Sequence, residues 1–105
     1  MSLRAPIAIP VEIRSAKGRL FRLARAIGED GIRLERPAAL ERGRPVELRF
    51  VLPDGEALAV RAEIGDDEED PDHDERSREL AFVDPPDEAR LTIHRYVKAR
   101  LELPA

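Results

Sequence analysis

Apolar and polar residues alternate one by one through most of this chain, and the rhythm changes to a helical period only near the C-terminus. A period of two puts successive side chains on opposite faces of a strand. Ile7, Ile9, Val11 and Ile13 share one parity, with Glu12 and Arg14 on the other. This is a half-buried strand, and Pro10 within it marks an edge or a bulge, because proline cannot donate to a ladder. Ser15 to Arg19 reads as a hairpin loop in which Gly18 is free to take positive φ. Leu20 to Ile27 form a second strand, and Gly31 to Glu35 a third with Ile32 and Leu34 facing inward.

Pro37 to Pro45 reads as a loop with a helical turn at Ala38-Ala39-Leu40. Val46, Leu48, Phe50 and Leu52 then alternate again, as do Leu58, Val60, Ala62 and Ile64. Between them Pro53-Asp54-Gly55-Glu56 combines a residue that pre-sets φ with one that tolerates a left-handed backbone, which defines a hairpin. Gly65 to Arg76 is a polar excursion, and Glu79 to Val83 a last strand with Leu80 and Phe82 inward. Asp84-Pro85-Pro86-Asp87-Glu88 reads as a helix start: a carboxylate cap, prolines that need no donor, and acids at the positive end of the dipole. Ala89, Ile93, Val97 and Leu101, with Tyr96 beside them, make one apolar helical stripe that Leu103-Pro104 would end. Six short antiparallel strands and one amphipathic helix predict a mainly β chain, a six-stranded barrel whose open side the helix covers. All of residues 1–105 belong to one domain.

Composition excludes several classes of function. The net charge is -4, which disfavours broad nucleic-acid binding, since that needs a surplus of basic groups. No apolar run approaches the ~18–20 residues that cross a bilayer, and no signal peptide is visible, so a cytoplasmic location is expected. Cysteine is absent, which removes disulfides and thiolate metal sites. The basic residues are nearly all arginine, an abundance that, with Ala and Pro, reads mainly as compositional bias.

Arg4-Ala5-Pro6-Ile7-Ala8-Ile9-Pro10-Val11, the stretch Arg25 to Glu35, and Leu80-Ala81-Phe82-Val83-Asp84 leading into a helix with Arg95-Tyr96-Val97 together resemble the PilZ family. That family commonly receives the bacterial second messenger cyclic di-GMP. The resemblance runs from Arg4 to about Leu101 and implies a PilZ-like barrel. Its ligand signature has two parts: RxxxR before the first strand, and [D/N]xSxxG between the second and third. By resemblance, Arg4 falls at the second Arg of RxxxR, and the first would precede Met1. Ala26 takes the Asp/Asn position, Gly28 the Ser position, and only Gly31 matches. Three polar partners are therefore missing. Each such hydrogen bond contributes roughly 1.5–3 kcal/mol, so losing three costs about 5 kcal/mol, a thousandfold or more in affinity. Restoring Asn at 26 and Ser at 28, with an upstream Arg, is expected to raise affinity. Arg22, Arg25 and Arg33 flank the same turn; they either compensate by meeting an anionic ligand or pair with Glu29, Asp30 and Glu35.

Other candidates read more plainly. Asp66 to Glu75 is an acidic loop without the glycine and ligand alternation of a calcium site, so no metal is expected and His73 is taken as exposed. A basic partner surface is the better match for it. His94 has no Cys, Ser or second His at a useful spacing, which leaves it an exposed helix residue, and Tyr96 a packing residue. No enzyme is expected, and no cofactor is required. The chain is read as a bacterial signalling or motility adaptor that binds a protein, with cyclic di-GMP binding lost or weak; the alternative is a functional cyclic di-GMP receptor using Arg4 and its neighbouring arginines. The contact surfaces would be the turn at Gly28–Gly31, the acidic loop and the exposed helix face, the last of which could instead pair with a second copy in a homodimer.

Overall fold

The computed structural model describes residues 3–35, 40, 43–64 and 77–102. Six strands precede one helix: β1 (Arg4–Ser15), β2 (Gly18–Gly28), β3 (Gly31–Glu35), β4 (Val46–Val51), β5 (Ala57–Ile64), β6 (Ser77–Phe82) and α1 (Asp87–Arg100). They close into an antiparallel barrel in the order β1-β2-β3-β6-β5-β4. The expected element types therefore hold, along with the inward parity of each strand. Ala38 and Ala39 of the expected turn, and the acidic excursion through His73, lie outside the described residues.

The core follows from the alternation. Val11, Ile13, Ile27, Ile32, Leu34, Leu48 and Leu80 are essentially fully buried inside the barrel. Apolar burial of this kind contributes ~25 cal/mol per Å² removed from water. The two predicted hairpins have the expected backbone. Gly18 takes φ of 124° opposite Ser15, and Gly55 takes φ of 98° in the β4–β5 turn. In that turn the Leu52 amide donates to the Glu56 carbonyl and the Gly55 amide to the Leu52 carbonyl, both at 2.8 Å.

Two local expectations are corrected. The bulge in β1 falls between Pro6 and Ile9 rather than at Pro10, which stands in register with Leu23. The start of α1 has no carboxylate cap. Its N-cap residue is Pro86, without a side-chain hydrogen bond, while Asp84 adopts φ of 44° in the bend before it. Dipole complementarity does hold, with Asp87 and Glu88 in the first turn and Lys98 and Arg100 in the last. The helix ends at Arg100, with Leu101 as its C-cap; Leu103-Pro104 lie outside the described residues.

The barrel closes where β1 meets β4, through the pairs Glu12–Arg49, Ile13–Leu48 and Arg14–Glu47. Ile13 and Leu48 face the core, while the four charged residues of the seam lie on the outer face with opposite signs across it. Arg49 donates to Glu47 at 2.7 Å and Arg14 to Glu12 at 3.0 Å. The hydrogen bond to Glu47, then the charges of Glu47 and Glu12, hold the exposed Arg49 guanidinium above its ordinary pKa.

α1 packs against this barrel through Ala89, Ile93, Tyr96 and Val97. Ile93 is fully buried. Ile93→Ala is expected to lower stability by about 2–5 kcal/mol, the range for emptying a buried aliphatic site. A urea titration followed by circular dichroism reads this as a lower midpoint.

Candidate functional site

The expected ligand positions converge on the bend between β2 and β3. Arg4 stands opposite Gly28 in the β1–β2 register. Its guanidinium reaches over the bend, where Nη2 donates to Asp30 Oδ1 at 3.2 Å and forms an ion pair with Glu79 Oε1 of β6. The Glu79 oxygen lies against Nη2 as a charge partner, without the alignment of a hydrogen bond. Arg4 Nη1 is buried and has no hydrogen-bond partner among the described residues. The second oxygen of Glu79 lies 3.8 Å from Arg33 Nε, and Arg33 Nη1 donates to Ser77 Oγ at 3.0 Å. The sheet order explains this assembly. β3 pairs with β6 so that Arg33 faces Glu79 and Gly31 faces Ala81.

Both glycines at the bend are required by close approach. A Cβ on Gly31 would sit 2.5 Å from the Leu80 carbonyl oxygen and 3.2 Å from Arg4 Nη2. A Cβ on Gly28 would sit 2.7 Å from the Leu3 carbonyl oxygen. Neither glycine has positive φ. Gly31 thus serves the bend by the space it leaves for β6 and for Arg4, and not by backbone freedom. The same geometry bears on Gly28, where a serine would require the chain leading into β1 to shift.

The remaining positions scatter. Ala26 is half-buried between Pro6 and Arg33 and offers no polar side-chain atom. Arg25 sits at a register shift in β2 and grips Glu35, with Nε and Nη2 each 2.8 Å from Oε1. Arg22 stands opposite Val11 and donates to the Phe21 carbonyl at 2.8 Å. At ~3.3 Å per residue it is about 20 Å along the strand from Gly28, so the structure does not bring it to the bend. Of the expected carboxylate partners, Glu35 meets Arg25, whereas Asp30 meets Arg4 and Glu29 meets His94.

His94 is an exposed helix residue as expected, and its Nδ1 lies 2.9 Å from Glu29 Oε2, which ties α1 to the bend. Sequence reasoning missed Glu79 and Ser77. Ser77 is the one polar side chain in the buried set among the described residues. Their signal was the outward parity of Ser77 and Glu79 on the last strand, which becomes informative only once β6 is known to lie beside β3. Tyr96 packs in the core as expected.

Chemically, the bend gathers two guanidinium groups and two carboxylates on one patch. Arg4, Arg33 and Glu79 are 29%, 28% and 21% exposed, whereas Asp30 is 60% exposed. Ala26 and Gly28 place no polar side-chain atom on this patch.

A family model described as the PilZ domain matches residues 2–99. No curated protein matches the chain. Among solved structures, the chain is similar to the Bacillus subtilis inhibitor of motility MotI/DgrA, with a TM-score of 0.77 and 17% identity over 95% of this chain. It spans about half of that protein, 50% of its length. It is also similar to the PilZ domain of CeSA from a cellulose-synthesizing bacterium, with a TM-score of 0.65 and 25% identity, covering 91% of this chain and 95% of that one.

Gly31→Ala is expected to lower stability by about 1–3 kcal/mol, because the added methyl must push apart β3 and β6. Thermal denaturation would read this as a fall in Tm; an unchanged Tm would contradict the close approach.

Proposed function

Because the chain belongs to the PilZ family, we propose that it is a non-enzymatic adaptor domain in bacterial signalling or motility, acting by protein binding, with cyclic di-GMP binding lost or weak. The observation that carries this reading is the state of the bend. Arg4, the signature arginine that the chain retains, is engaged by Asp30 and Glu79, and positions 26 and 28 provide no side-chain donor or acceptor. The phosphates of a nucleotide arriving there meet carboxylates where they need hydrogen-bond donors.

Surface for a protein partner is present elsewhere. Phe21 is 61% exposed and Val51 55% exposed, and both line an open groove with Pro10, Phe50 and Leu58. Leu91 is exposed on the outer face of α1, which could equally serve a second copy of the chain. Motility is suggested by the shared fold with the motility inhibitor. Cytoplasmic location accords with this role, and no helix among the described residues is long and apolar enough to cross a membrane.

A second reading, reception of cyclic di-GMP through Arg4, is favoured by one observation: the buried Nη1 that lacks a partner among the described residues. Calorimetric titration separates the two. Adaptor function predicts no heat until the ligand approaches millimolar concentration. A low-micromolar Kd would overturn it in favour of the receptor.

A further inference from the structure

The guanidinium groups at the bend are neutralised from within the fold. Glu79 bridges Arg4 and Arg33, one carboxylate oxygen towards each, and Asp30 takes the remaining face of Arg4 Nη2. Two positive groups are thus matched by two negative ones, and Glu29 adds a further carboxylate at the same bend, tied to His94. Opposite charges at ion-pair distance cancel the field that would draw a phosphate in, and a third carboxylate turns the local balance against an anion. The arginines also lose the open fork that binds phosphate in a bidentate manner.

We propose that Glu79, assisted by Asp30, determines the ligand specificity of this site: its carboxylate occupies the place of an anionic ligand and excludes phosphate-bearing compounds from Arg4 and Arg33. The inference rests on the reading of the bend as a disabled nucleotide site and deepens it. Weak binding then has two separable causes: the polar side chains missing at positions 26 and 28, and an internal anion that must be displaced. Removing the second cause does not require the first to be repaired. A phosphate group needs only the guanidinium forks, whereas a guanine needs the polar partners missing at positions 26 and 28.

Glu79 is well placed for this role and poorly placed for others. It lies on the outer face of β6, it is not in the apolar core, and among the described residues no cluster of acidic or histidine side chains around it could hold a metal.

Glu79→Gln keeps the shape of the side chain and an acceptor for Arg4 while removing the charge. Asp30→Asn, at a more exposed position, is an independent second variant that should fold even if the first does not. The natural chain, each variant and the double variant would be titrated calorimetrically with cyclic di-GMP and with inorganic pyrophosphate, folding being checked by circular dichroism. The expected result is pyrophosphate binding about tenfold or more tighter in Glu79→Gln and tighter again in the double variant, with a smaller gain for cyclic di-GMP. Folded variants that bind both probes no more tightly than the natural chain would overturn the proposal. The Kd of the natural chain for cyclic di-GMP tests the adaptor reading by itself, whereas the ratio of variant to natural Kd tests the role of Glu79, so either can fail alone.

Discussion

The structure depends on the short seam that closes the barrel. Only Glu12, Ile13 and Arg14 of the long first strand pair with β4, yet these contacts turn an open sheet into a ring. Closure removes the free edges that an alternating sheet would otherwise present to other chains. It also lets one strand carry two duties. The C-terminal half of β1 completes the barrel, while its N-terminal end is left to run beside Gly28 and to lay Arg4 across the bend. The seam is apolar inside and charged outside, with Ile13 and Leu48 buried beneath the Glu12, Arg14, Glu47 and Arg49 network.

The bend is consequently a place where four strands meet, not a loop that folds by itself. Arg4 comes from β1, Arg33 from β3, and Ser77 and Glu79 from β6. The Phe82 amide also donates to the Asp30 carbonyl at 2.9 Å, so the backbone of the bend is stitched to β6 as well. His94 adds a link from the helix. Charge and packing are arranged together here: the glycines bring the strands close, and closeness sets a small group of charged side chains against one another.

How much of this was legible in the sequence depends on range. Period-two alternation specified the strands from Ile7 to Phe82, and the spacing of Ala89, Ile93 and Val97 specified the helix, because each pattern is local. Gly18 and Gly55 were legible as turn residues for the same reason. The bulge at Pro6–Ile9 was not, since proline marks a missing donor without saying where the ladder slips. Glu79 and His94 were not legible either. Their roles come from the adjacency of β3 with β6 and of α1 with the bend, and nothing in the neighbouring residues encodes which strand lies beside which. Arg22 shows the reverse error: close in sequence to the bend, it lies a long way down β2.

Gly28 carries one more implication. Its neighbour across the strand pair is a main-chain oxygen, that of Leu3, which cannot rotate aside as a side chain would. A descendant of this protein that acquired serine at this position would first need a different path for the residues ahead of β1, and a different path gives no benefit until the serine is there. Two changes that help only in company seldom arise one after the other. The surface at this end of the barrel is therefore easier to change at its outward-facing side chains than at Gly28.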